Sequence, residues 1–278
     1  MWLIKQQRNS IQNRLTGDRH ITSWKQFAKH IRSRGCDLLA KLEKFPNAVL
    51  VTGCQRSGTT MLTRIITRSE GMKNYWFGKD DELDAALLLS GWVEHDPQGR
   101  YCFQTTYINE CFKEYLNGKK DYKMIWVLRN PHSVVYSQVY NWKRFALNEL
   151  FKACGLQYLT KREIQRHIWL GNASVKPIRR ACLSYNGKLS QLFSLKQQLN
   201  DNQLIIVNYD DLVNKPDTIL RSIYKFIDLE YRSEYTNYIK EGSLTKAQKL
   251  TKKQSDLINN SCLNIYEAAK DLVDKCGT

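Results

Sequence analysis

One segment near residue 50 restricts the possible folds more than any other part of this chain. Residues 48–52 are apolar and rich in β-branched side chains, and they end at Gly53, which predicts a buried strand. A helical pattern follows over residues 59–66. A loop between a buried strand and a helix N-terminus directs backbone N–H groups towards an anion. The segment therefore predicts an α/β fold with an anion-binding loop.

The composition of this loop indicates which anion it suits. It resembles the nucleotide-binding pattern G-x-x-x-x-G-K-[ST], but Thr59 stands in place of the lysine. Phosphoryl-transfer loops use that lysine with Mg²⁺ to balance a triphosphate. Arg56 is the loop's only cation, so a less charged group such as sulfuryl fits it, with no obligatory metal. A turn that binds no ligand is the alternative. The loop reads Gly53-Cys54-Gln55-Arg56-Ser57-Gly58-Thr59-Thr60.

The rest of the chain alternates between strand and helix signals. Residues 124–128 and 203–207 read as two further buried strands. Strands alternating with helices predict a parallel α/β sheet. Because no Pro/Gly/Ser linker or repeat interrupts the pattern, we expect a single domain over 47–278. Helical stretches are expected near 81–90, 107–117, 160–170, 178–200 and 255–275.

Charge is the unusual feature of the composition. The chain has 43 Lys+Arg against 27 Asp+Glu, a net charge of +16, which predicts an anionic partner. Residues 1–46 hold ten basic and three acidic residues, a net +7. We expect this leader to be an amphipathic helical segment packed on the body, with a polyanion-binding arm as the alternative. Its apolar positions recur at roughly helical spacing: Trp24, Phe27, Ile31, Leu38, Leu39 and Leu42.

The cysteines and the apolar runs of the sequence indicate where in the cell the protein is located. The eight cysteines form no C-x-x-C pair, which argues against a zinc site or a disulfide scaffold and favours free thiols. No apolar run is long enough for a membrane span, and the N-terminal run is too short for a signal peptide. We expect a cytoplasmic protein.

A second anion site is predicted after the 124–128 strand. Arg129 follows the strand at the edge where open α/β sheets bind ligands, and Pro131 is well placed to begin a helix. Arg129 and Ser137 have the chemistry to hold one phosphate from two sides. A strand-end arginine in a salt bridge is the alternative.

Together the two motifs resemble the sulfotransferase superfamily that uses 3′-phosphoadenosine 5′-phosphosulfate (PAPS), in its bacterial and carbohydrate-type branch. Residues 207–212 resemble a third, structural segment of that family. The resemblance implies a P-loop NTPase-like three-layer fold with a central parallel sheet of about five strands flanked by helices. It implies that the 5′ end of PAPS is bound by Gln55, Arg56, Ser57, Gly58, Thr59 and Thr60. It also implies that Arg129 and Ser137 bind the 3′-phosphate, and that Lys246 reaches the cofactor.

Two departures from the family pattern concern catalysis. Where the family often has a lysine before the second motif, this chain has Gln104, which would leave Arg56 as the sole cation at the transferring group. The family's general base follows the first helix, where we expect Glu82 first, Asp81 second and His95 third. An acidic helix start over 80–84 is the competing interpretation.

The expected activity is transfer of a sulfuryl group from PAPS to a hydroxyl or amine. The acceptor is a glycan, a lipid-linked molecule or a small molecule, and neither a metal nor nucleic acid is expected. Peripheral membrane contact through the basic surface is a further expectation. The alternatives are a P-loop small-molecule kinase and a non-catalytic RNA- or polyanion-binding protein. Aromatic residues that could stack on an acceptor, or form core, are Tyr75, Trp76, Phe77, Trp92, Tyr101, Phe103, Tyr107, Tyr140 and Trp142.

Overall fold

The structure is a computed structural model that describes residues 21–35, 37–78, 80–95, 98–108, 114–117, 122–239 and 244–273. Its strands are β1 (Val49–Gly53), β2 (Met72–Lys73), β3 (Arg100–Gln104), β4 (Lys123–Leu128) and β5 (Leu204–Asn208). Its α-helices are α1 (Trp24–His30), α2 (Thr59–Thr67), α3 (Asp81–Leu89), α4 (Glu114–Asn117), α5 (Pro131–Tyr140), α6 (Arg144–Leu150), α7 (Lys161–Leu170), α8 (Pro177–Lys196), α9 (Tyr209–Asn214), α10 (Pro216–Phe226) and α11 (Lys252–Lys270).

The five strands form one parallel sheet in the order β2-β3-β1-β4-β5. The strand β1 is central, and all five of its residues are buried. It pairs in register with β3, so that Val51 lies opposite Gln104. A continuous apolar run is what a strand covered on both faces requires. The predicted class is confirmed: a P-loop NTPase-like α/β fold with a central parallel sheet flanked by helices.

The three predicted strands correspond to β1, β4 and β5 within one residue at each end. Prediction missed β3, because its sequence Arg-Tyr-Cys-Phe-Gln has polar ends and only three apolar positions. Tyr101 and Phe103 are buried in this strand, so they belong to the core. Of the helix expected near 107–117, the described residues include α4 at Glu114–Asn117, whereas residues 107 and 108 are not helical.

The chain divides into two compact units, and the first contains described residues up to Thr52 together with Thr60–Ile125. Within it, Phe27 and Ile31 are buried. Trp24 Nε1 donates to Asp80 Oδ2 at 2.9 Å, and Lys41 N donates to Leu89 O at 2.8 Å. The described part of the leader therefore packs beside α3. Residues 1–20 of the leader lie outside the described residues.

The second unit contains Gly53–Thr59 and the described residues from Trp126 onward. Its longest helix, α8, packs against α5 and α11 and is buried along most of its length. The five described cysteines of the chain are buried free thiols. Among the described helices, none has the length and apolar character that crossing a membrane requires.

Candidate functional site

The loop between β1 and α2 turns sharply, and two of its glycines are sterically required. Gly53 and Gly58 have φ values of +145° and +101°, where L side chains are strained. A Cβ atom on Gly53 would lie 2.5 Å from Val127 O, and one on Gly58 would overlap the ring of Tyr209. Arg56 also has a positive φ of +77°. The backbone here leaves no room for larger residues.

The loop ends in a group of hydrogen-bond donors. Ser57 is fully buried, and its Oγ has no hydrogen-bond partner among the described residues. Thr59 is buried at the first position of α2, and Thr60 follows it, exposed. The first N–H groups of a helix lack intrahelical partners and favour an anion. A buried hydroxyl beside them fits the same ligand.

Arg129 is held against the loop. Its Nη1 donates to the carbonyl oxygen of Arg56 at 3.1 Å, and its guanidinium lies 4.3 Å from the centroid of the Tyr209 ring. Burial lowers the pKa of Arg129 from its ordinary value. Tyr185 Oη donates to the Arg129 carbonyl at 2.8 Å, which fixes the chain at this point.

Arg56 joins the two predicted motifs. Its Nε donates to Ser137 Oγ at 3.1 Å. On the next residue of α5, Gln138 Nε2 donates to the carbonyl oxygen of Gln55 at 3.1 Å. The second unit thus brings together seven of the predicted binding residues: Gln55, Arg56, Ser57, Gly58, Thr59, Arg129 and Ser137. That Arg56 also lies at the sulfuryl end stays a prediction.

In the first unit, the acids around the start of α3 have different partners. Asp80 caps the helix by accepting from Glu82 N and Leu83 N. Asp81 is buried and forms a bidentate ion pair with Arg64, with N–O distances of 2.5 and 3.1 Å. The contacts of Asp80 and Asp81 stabilise the local fold. Asp84 Oδ2 accepts from Phe77 N at 3.0 Å and Gly78 N at 2.7 Å, while burial raises its pKa to about 6.

The carboxylate of Glu82 accepts hydrogen bonds from an amide and a hydroxyl. It is partly exposed, and its described hydrogen bonds come from the hydroxyl of Thr106 and from Gln104 Nε2, the latter at 3.4 Å. Gln104 is the last residue of β3 and lies opposite Val51 of β1. Neutral donors of this kind can orient a carboxylate.

Two contacts of the loop were not predicted, those of Tyr209 beside Gly58 and of Gln138 with Gln55. Two further contacts near the site were also not predicted: Tyr185 donates to Arg129 O, and Lys188 is buried 5.5 Å from the Trp126 ring. For Tyr209 a signal existed, since it directly follows a parallel strand, where ligand sites of α/β sheets lie.

Two further candidates remain. The His95 ring packs edge-on at 5.3 Å from Tyr101, and the side chain of Lys246 lies outside the described residues. Within the described ranges no cluster of His, Cys, Asp or Glu has the makeup of a metal site.

Comparison with known proteins identifies the family. The sequence model for the sulfotransferase domain matches residues 46–276. A search of curated protein sequences finds no match. Similar solved structures include the sulfotransferase domain from the curacin biosynthetic pathway, with 15% identity, a TM-score of 0.48, and coverage of 83% of this chain and 93% of that one.

A second similar structure is a sulfotransferase from Alicyclobacillus acidocaldarius, with 11% identity, a TM-score of 0.49, and coverage of 82% of this chain and 96% of that one. A third is a mouse sulfotransferase complexed with PAP, with 14% identity, a TM-score of 0.48, and coverage of 84% of this chain and 93% of that one. Because the family match spans most of the chain, this protein belongs to the sulfotransferase domain family and is a transferase.

Proposed function

We propose that this protein transfers a sulfuryl group from PAPS to a hydroxyl or amine of an acceptor. The observation that carries the proposal is the hydrogen bond from Arg56 to Ser137. It links a loop rich in N–H and hydroxyl donors to the helix that follows Arg129, and both lie in one compact unit. A molecule with two separate anionic groups matches such a paired site.

The donor set fits PAPS in particular. The buried Ser57 hydroxyl and the start of α2 suit the 5′-phosphosulfate, which carries less charge than a triphosphate. Arg129 and Ser137 suit the 3′-phosphate, since a guanidinium and a hydroxyl offer several donors to its oxygens. The Tyr209 ring, next to both Gly58 and Arg129, provides a flat apolar wall. Lys246 and Thr60 are further proposed PAPS-binding residues.

The acceptor is activated by a carboxylate of the first unit. When bound, PAPS supplies the sulfuryl group. Glu82 takes the proton of the acceptor hydroxyl or amine, while Gln104 and Thr106 orient its carboxylate. Asp81 is the second candidate, and its carboxylate is held in an ion pair with Arg64. Loop N–H groups and Arg56 stabilise negative charge on the departing phosphate oxygen.

The acceptor class is a glycan, a lipid-linked molecule or a small molecule. The proposed reaction requires no metal, and the proposed location is the cytoplasm. Among the candidate aromatics, Tyr75 and Tyr107 are buried core residues, whereas Trp76, Phe77 and Trp92 are partly exposed and stay candidates for acceptor contact.

The test is a thermal-shift titration of the full chain with PAP, with ATP in the presence and absence of Mg²⁺, and with RNA. We expect PAP to raise the melting temperature most. Stabilisation by ATP–Mg²⁺ alone would indicate a kinase, and salt-sensitive stabilisation by RNA alone would indicate a polyanion-binding protein. Transfer of label from PAPS to a panel of acceptors then tests the reaction.

A matched variant separates specific binding from general charge effects. Arg129→Ala removes a buried cation of the proposed site. Arg221→Ala removes an exposed cation that pairs with Asp217 on α10. Only the first change is expected to abolish the PAP-dependent shift.

A further inference from the structure

The helix α7 exposes an unusual amount of apolar surface. Half-buried residues on this helix are Glu163 and His167, one turn apart, and the remaining residues are exposed. Soluble proteins rarely expose neighbouring large apolar side chains without a binding role. The exposed fractions are 44% for Ile164, 74% for Ile168, 87% for Trp169 and 64% for Leu170.

The helix is well formed and anchored despite this exposure. Thr160 and Glu163 form a capping box at its N-terminus. Glu163 Oε1 also lies 3.3 Å from Arg179 Nε of α8, and the His167 ring packs edge-on at 5.8 Å from Phe151. One side of α7 is therefore attached to the second unit, and Ile168 and Trp169 remain largely exposed.

Basic residues accompany the apolar ones. Lys161, Arg162 and Arg166 are exposed on α7, and its single acid, Glu163, pairs with Arg179. Exposed leucine, isoleucine and tryptophan combined with Lys and Arg are typical of helices that lie in the headgroup region of a membrane. Tryptophan favours that region because its ring is apolar and its N–H is polar.

We propose that α7 docks this protein onto an anionic lipid surface, with Ile168 and Trp169 inserted among the lipids and Arg162 and Arg166 on the headgroups. Charge complementarity decides for this partner over a second copy of the chain. A two-fold interface would place α7 against α7 and oppose like charges. The patch is also much smaller than the roughly 20–30 residues per side of a standard protein interface.

The test is co-sedimentation of the full-length protein with vesicles of phosphatidylcholine alone and with phosphatidylglycerol added. We expect binding to the anionic vesicles that weakens with salt, and weak binding to the neutral ones. Ile168→Ser/Trp169→Ser should lower partitioning by about tenfold or more. Arg162→Gln/Arg166→Gln should lower it by about tenfold as well. Both pairs of side chains are exposed, so folding should be retained.

Leu263→Ser is the matched control, because Leu263 is an exposed apolar residue of α11 and should leave binding unchanged. Equal vesicle binding by the wild type and both double variants would overturn the proposal, as would equal binding to neutral vesicles. A dimer in sedimentation equilibrium that Ile168→Ser/Trp169→Ser dissociates, without vesicle binding, would assign the patch to a second copy instead. None of these measurements requires PAPS, so they stand apart from the proposed activity.

Discussion

The side chain of Arg56 reaches across 81 residues of sequence to donate its Nε hydrogen to Ser137 Oγ at 3.1 Å. Arg56 also accepts from Arg129 through its carbonyl oxygen. The loop and the second motif are therefore linked through both the side chain and the backbone of one residue. Nucleotide binding to either motif should depend on the other.

This link predicts coupling between Arg56 and Ser137 in PAP binding. Arg56→Ala and Ser137→Ala should each weaken PAP affinity by about tenfold, because each removes a proposed donor to PAP and also breaks the hydrogen bond between the two residues. The double variant should lose less than the product of the single effects, since the residues are hydrogen-bonded to each other. Isothermal titration calorimetry of the four proteins measures the coupling; strictly multiplicative losses would place the two residues in separate sites.

Arg129→Lys should weaken PAP binding by about thirtyfold or more, although the charge is kept. A lysine cannot reproduce the planar fork that stacks on Tyr209 and donates to the Arg56 carbonyl. Calorimetric titration with PAP measures the loss. Arg221→Lys, at an exposed ion pair, is the control and should bind as the wild type does. Undiminished affinity of Arg129→Lys would show that charge alone is needed at this position.

Glu82→Gln should lower turnover by about 10²- to 10⁴-fold while leaving PAP affinity unchanged, because it removes the base and keeps the shape. Asp81→Asn should instead lower stability by on the order of 1 kcal/mol, since its partner Arg64 is partly exposed. Steady-state kinetics and denaturant unfolding separate the two effects. If Asp81→Asn abolishes turnover and Glu82→Gln does not, the order of the two candidate bases is reversed.

Gly58→Ala should destabilise the protein by more than Gly171→Ala does. Both glycines have positive φ values, of +101° and +55°. An added Cβ at Gly171 meets nothing within 4 Å, whereas one at Gly58 collides with Tyr209. Gly171→Ala should cost about 1–2 kcal/mol from backbone strain, and Gly58→Ala more, with loss of PAP binding. Equal unfolding midpoints for the two variants would contradict the close contact with Tyr209.

Asp84 should make stability depend on pH. Burial raises its pKa to about 6, above its ordinary value, so the folded protein holds this proton more tightly than the unfolded chain. The protonated Asp84 carboxyl therefore stabilises the folded protein at low pH. This stabilisation, on the order of 2 kcal/mol in the free energy of unfolding, is lost as pH rises from about 4 through about 6. Unfolding of wild type and Asp84→Asn at pH 4.5 and pH 7 is the measurement. An identical pH dependence in both proteins would refute this.

The acids at the start of α3 show where prediction from sequence ends. Their positions predicted both a capped helix start and a base, and the structure gives each acid different partners. Asp80 caps the helix and Asp81 pairs with Arg64, while Glu82 meets Gln104 and Thr106. Helical spacing alone cannot separate adjacent carboxylates, because their partners come from other elements of the chain.

The sequence by itself determined the parallel α/β class, the strands β1, β4 and β5, and the loop at Gly53–Thr59. These follow from local signals: apolar runs of strand length, and glycines where the backbone must turn. Only the tertiary structure decided that Arg56 contacts Ser137, that Tyr209 lies beside Gly58 and Arg129, and that Tyr101 and Phe103 are core. Contacts between residues far apart in sequence depend on how strands and helices pack, which no local pattern specifies.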